Sequence, residues 1–147
     1  MAEKIGKIFL VFFAAALLLC GCSEKDDGGF ENTKWVLDTV QDIKNGGKII
    51  ACSEESKSLY ENAKVINFVC RADKNNVIFE NIAENQKYSG TYDTVESTDK
   101  TVIYRITVDG KEGIASVSDT VFEGGGKTKT LVIGFDDYAL KFFEKQK

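Results

Sequence analysis

From Thr33 onward, apolar and polar residues alternate in short runs with a period of two, and turn residues break the runs. Successive side chains of a strand point to opposite faces, so this is the pattern of half-buried β-strands. It predicts strands over 34–40, 48–52, 65–71, 76–81, 87–95, 101–108, 113–122, 128–135 and 138–144. Alternation is cleanest toward the C-terminus. Val102, Tyr104, Ile106 and Val108 share one face; Leu131, Ile133 and Phe135 share another, as do Tyr138, Leu140 and Phe142. Ser53 to Lys64 is polar, with Leu59 and Ala63 at helical spacing, which predicts one or two helical turns.

The links are short. Asn45-Gly46-Gly47, Asp73-Lys74-Asn75-Asn76, Asp109-Gly110-Lys111-Glu112-Gly113 and Gly124-Gly125-Gly126 are turns by composition. Phe135-Asp136-Asp137-Tyr138 predicts a tight hairpin, though without the Gly that the commonest two-residue loops prefer. Nine strands in close succession give an all-β, antiparallel up-and-down meander. So many twisted strands either split into two sheets or curl and close. Closure removes the exposed edges, so a small barrel with one short helix is the expectation. No βαβ spacing points to a parallel sheet.

The first residues follow a different pattern. Lys4 and Lys7 precede an unbroken apolar run of 12 residues, Ile8 to Leu19. That length fits the ~7–15 residues of a secretory h-region and falls short of the ~20 that cross a bilayer as a helix. The run ends in Leu19-Cys20-Gly21-Cys22, which resembles the lipobox of bacterial lipoproteins. Cys22 fits the modified position because small Gly21 precedes it, whereas Cys20 would follow bulky Leu19. The resemblance implies that residues 1–21 are removed and that Cys22 carries a diacylglyceryl thioether. The two acyl chains of that group are enough for stable anchoring, and acylation of the new N-terminus would add a third. Residues 22–30 then form a polar tether, and 31–147 the folded domain. Lys25-Asp26-Asp27 resembles the Lys-acidic-acidic signal that sends some Gram-negative lipoproteins to the outer face of the outer membrane.

Composition narrows the chemistry. The 147 residues contain no His, which removes Ser-His-Asp triads, Cys-His dyads and imidazole metal sites. The formal net charge is −4, and loss of Glu3, Lys4 and Lys7 with the leader makes it −5. An acidic chain lacks the clustered Lys and Arg that nucleic-acid binding requires. Nor is it attracted to an anionic membrane, so the lipid at Cys22 is expected to do the holding.

Asn32-Thr33-Lys34-Trp35-Val36-Leu37 places a Trp at the start of the first strand, directly behind the tether. Tyr88-Ser89-Gly90-Thr91-Tyr92 is a mid-chain strand with Gly beside aromatic residues. The chain ends in a paired hairpin, Leu131-Val132-Ile133 with Tyr138-Ala139-Leu140-Lys141-Phe142-Phe143-Glu144-Lys145. Together these resemble lipocalin-like domains of bacterial lipoproteins over roughly Glu31 to Lys145. Thr33 stands where that family's Gly-x-Trp motif has its Gly. The resemblance implies an up-and-down barrel closed at one end by the Trp, sometimes with a cavity for an apolar ligand.

Candidate sites follow. Cys52 and Cys70 are the thiols of the expected mature domain beyond the lipidated one. In an oxidising compartment they could pair, closing a loop of 17 intervening residues. Such a loop is worth roughly 3 kcal/mol in the chain-entropy model; the alternative is two buried apolar cysteines. Aromatic residues fall in or beside most strands, lining either a ligand cavity or a packed core. An eight-stranded barrel is just wide enough to be filled by its own side chains. Tyr88, Tyr92, Tyr104 and Phe142 are the candidate ligand contacts. Buried phenols need hydrogen-bond partners, which a ligand can supply.

The carboxylate pairs Glu54-Glu55, Asp26-Asp27 and Asp136-Asp137 read as solvated turn charges. Gly124-Gly125-Gly126-Lys127-Thr128 lacks the spacing and strand-to-helix context of a phosphate loop and reads as a flexible loop able to gate a barrel mouth or touch a partner. No cofactor, metal or catalytic group is expected. The expectation is a non-enzymatic, lipid-anchored envelope protein that binds a small apolar or amphipathic ligand. The alternative is a filled barrel whose loops bind a protein or a glycan.

Overall fold

The computed structural model describes residues 29–145. The expected leader, the lipidation position Cys22 and the Lys25-Asp26-Asp27 signal lie outside the described residues. The described chain is all-β: β1 (Lys34–Asp42), β2 (Lys48–Cys52), β3 (Lys64–Val65), β4 (Phe68–Asp73), β5 (Asn76–Asn81), β6 (Gln86–Ser97), β7 (Thr101–Val108), β8 (Lys111–Val121), β9 (Lys127–Gly134) and β10 (Tyr138–Glu144). The expected helix is a single 3-10 turn, Lys57–Leu59.

From β4 to β10, each strand pairs antiparallel with the next. β10 then returns to β1, with Trp35 opposite Glu144 and Asp42 opposite Tyr138. The other edge of β1 is divided. Its first half pairs with β4, Trp35 opposite Cys70, and its second half with β2, Thr39 opposite Cys52. The result is a closed barrel of eight strands, β1 and β4 to β10, with β2 and the two-residue β3 forming a parallel flap beside it. The expected third strand is therefore split at Ile66-Asn67, because its two halves pair with different partners.

Local chemistry explains the turns. Asp109 and Gly110 both have positive φ, 48° and 76°, as a two-residue type I′ hairpin between β7 and β8 requires. Lys74 and Asn75, at 46° and 69°, do the same between β4 and β5. At Gly90, β6 runs so close to β7 that an added Cβ would strike the Thr107 carbonyl. A bulge in β1 between Leu37 and Thr39 shifts its phase against β10. Leu37 stands opposite Phe142 and Val40 opposite Leu140, so both β1 residues join the interior stripe.

The interior is packed at the end where the described chain enters. Trp35, Tyr92, Tyr104, Leu131 and Phe142 belong to one buried cluster. Phe30 belongs to it as well and is completely buried, which corrects the expectation that the tether extends to residue 30. Its ring meets Tyr92 edge-on at 4.7 Å and Tyr104 at 4.8 Å. Trp35 Nε1 donates to the Phe30 carbonyl at 3.2 Å, and the Tyr92 hydroxyl donates to Glu31 Oε1 at 2.6 Å. Glu31 also bridges to Ala72. The residues just before β1 thus form a plug across this end.

Candidate functional site: the open mouth of the barrel

In an up-and-down barrel, alternate turns share an end. Four links lie at the end opposite the plug: 43–47, 82–85, 109–110 and 135–137. Each inward stripe runs past the packed core toward them. On β7 the order is Tyr104, Ile106, Val108; on β9 it is Leu131, Ile133 and then Phe135; on β10 it is Phe142 and then Leu140. The first members of these stripes are fully buried, whereas Val108, Phe135 and Leu140 are only partly covered. β6 carries Tyr92, Gly90 and Tyr88 in the same sense, and Gly90 contributes no side chain to the interior layer below Tyr88.

A cavity of about 900 Å³ opens here. Val40, Ile50, Tyr88, Val108, Phe135, Tyr138 and Leu140 give it apolar and aromatic walls; Asp109, Gly110, Lys111, Glu112, Asp136 and Asp137 form its polar margin. The size falls within the ~300–1,000 Å³ of small-molecule pockets. Two loops meet across the margin. The Ile43 amide donates to the Asp137 carbonyl at 2.9 Å, and Lys44 forms an ion pair with the Asp137 carboxylate. The hydrogen bond to Asp137 raises the Lys44 pKa above its ordinary value.

Of the four aromatic residues expected to contact ligand, Tyr88 lines this cavity. Tyr92, Tyr104 and Phe142 do not; they belong to the packed core, with Tyr104 and Phe142 completely buried. Their stripe is the expected one, but their depth in the barrel is not. The walls also include Phe135 and Tyr138, which belong to the aromatic set the sequence offers for a cavity, and Val40, Val108 and Leu140, which were not expected as ligand contacts. The parity of the hairpins was the available signal, because it gathers the 109–110 and 135–137 turns at one end. By the same parity the Gly124-Gly125-Gly126 loop lies at the plugged end, so it does not gate this mouth.

The expected disulfide is corrected as well: Cys52 and Cys70 are free, buried thiols. They stand opposite Thr39 and Trp35 of β1, four residues apart along the strand. At a rise of ~3.3 Å per residue that is roughly 13 Å, well beyond the reach of a disulfide. Cys70 belongs to the interior cluster and Cys52 does not. Burial pushes the Cys70 thiol pKa far up, so it is not a nucleophile at neutral pH. Among the described residues, no group of three or more His, Cys, Asp or Glu side chains is placed to hold a metal ion.

The mouth offers apolar walls, two phenolic rings and a charged margin, an arrangement suited to holding a small molecule. Comparison with known proteins returned no match, whether to a family model, a curated protein or a solved structure.

Proposed function

We propose that this protein is a non-enzymatic, lipid-anchored protein of the cell envelope that binds a small apolar or amphipathic ligand in the mouth of a lipocalin-like barrel. The observation that carries the binding role is the cavity of about 900 Å³ at the unplugged end, where the interior stripes of four strands end half-exposed. Anchoring would also orient the barrel. The described chain enters at the plugged end, so a lipid at Cys22 would hold that end toward the membrane and leave the mouth facing away.

The alternative, a filled barrel that binds a protein or glycan through its loops, draws on the packing from Trp35 to Phe142. Titration with the uncharged fluorophore N-phenyl-1-naphthylamine separates the two readings. Ligand binding predicts saturable enhancement that Val108→Glu abolishes while the β-sheet circular-dichroism spectrum is retained. An absence of saturable enhancement favours loop recognition. For the anchor, the cellular protein is expected to show a lipid adduct at Cys22 by intact mass, and a Cys22→Ala variant to leave the membrane fraction. An unmodified chain would overturn the anchoring.

A further inference from the structure

We infer that the mouth selects amphiphiles with a positively charged head and disfavours fatty-acid-like anions. This deepens the ligand-binding reading and rests on it.

The cavity supplies the site, and its margin selects the occupant. Four carboxylates line it, Asp109, Glu112, Asp136 and Asp137, against one lining cation, Lys111. Lys44, the neighbouring cation, is paired with Asp137. That pair leaves Asp109, Glu112 and Asp136, all solvent-exposed, opposed by Lys111. The carboxylates come from two adjacent hairpins, β7–β8 and β9–β10, so the excess negative charge gathers on one side of the opening. Apolar walls beneath it, from Val40, Val108, Phe135 and Leu140, focus the field into the cleft. Tyr88 and Tyr138 add aromatic rings at the same level, and the face of such a ring attracts a cation. An alkyl chain can lie on the walls while its ammonium head meets carboxylates and phenol rings. An alkyl carboxylate in the same pose would add a further negative charge to a margin that already carries an excess.

Displacement of bound N-phenyl-1-naphthylamine by decyltrimethylammonium, decyl maltoside and decanoate, each below its micelle concentration, tests the inference. The expected order is cation, then neutral, then anion. The cation should be preferred over the anion roughly tenfold, equivalent to ~1.4 kcal/mol, and the preference should shrink as salt rises. The double variant Asp109→Asn with Asp136→Asn should bring the amphiphiles closer together while still binding the fluorophore. Asn suits the left-handed turn position at 109, so the hairpin is expected to survive. Equal displacement by all three, or preference for decanoate, would overturn the charge selection and leave the binding site standing. Failure of the fluorophore itself to bind would overturn the ligand-binding reading, and this inference with it.

Discussion

The indole N–H of Trp35 donates to the backbone carbonyl of Phe30 at 3.2 Å, inside the barrel and with both side chains fully buried. This bond joins the first strand to the residues that lead into it and turns an apparent tether into a plug. Phe30→Ala should therefore behave as a core truncation. We expect a loss of about 3–5 kcal/mol in urea unfolding. Trp35→Phe, which keeps most of the bulk but loses the donor, should cost less. A Phe30 variant as stable as the parent would show that the plug is not part of the fold.

The close approach of β6 to β7 depends on Gly90. A Cβ there would meet the Thr107 carbonyl, a backbone atom that cannot swing aside. Gly90→Ala is expected to lose more than about 3 kcal/mol or to fail to fold, as overpacking and strand displacement combine. Gly126 is the control: a Cβ there meets only the Phe122 ring, at 3.9 Å. Gly126→Ala should stay within about 0.5 kcal/mol of the parent in the same unfolding assay.

The two thiols should be silent in the native protein. Ellman's reagent is expected to find none before denaturation and two equivalents for the 29–145 domain afterwards, without reductant. Detection of none after denaturation would establish a Cys52–Cys70 bridge.

Burial of Cys70 has a pH consequence. Its thiol pKa is raised in the folded state, whereas the unfolded chain ionises near the ordinary value of 9.0. The folded state thus binds the extra proton, and stability falls as pH rises above that value. The slope contributed by Cys70 is about 1.4 kcal/mol per pH unit. Cys70→Val should remove that slope, measured as the difference between the two unfolding curves from about pH 8 to about pH 10, roughly one unit on each side of that ordinary value. Parallel curves would contradict the burial.

At the β1–β2 turn, Asn45 donates its side-chain amide to Asp42 at 2.7 Å and its backbone amide at 3.1 Å. The Asn45 side-chain bond is the main reason that the Asp42 carboxyl titrates below its ordinary 3.8. The turn's small stabilisation is therefore present above that value and disappears as pH falls through the lowered one. Carboxyl NMR titration should show the depression in the parent and its partial loss in Asn45→Ala. Identical midpoints would refute the hydrogen bond.

Local pattern made most of the wall readable. β5, β7 and β10 stand on the predicted residues because alternation and turn chemistry are both local. The split of β3 from β4 was hidden, since nothing in Ile66-Asn67 tells that β2 and β4 share one edge of β1. Phe30 was hidden for a similar reason. Glu31-Asn32-Thr33 separates it from the first apolar run, and its partners Tyr92 and Tyr104 lie far along the chain. Aromatic character marked Tyr88, Tyr92, Tyr104 and Phe142 as candidates, but depth within a barrel depends on strand stagger. That is why Tyr88 lines the mouth and the other three pack the core.

Amide chemical-shift mapping during titration with N-phenyl-1-naphthylamine bears most directly on a barrel plugged at one end and receptive at the other. Saturable shifts are expected at Tyr88, Val108, Phe135 and Leu140, with Trp35, Tyr92 and Tyr104 unmoved. Shifts centred on the Trp35 end, or none that saturate, would contradict it.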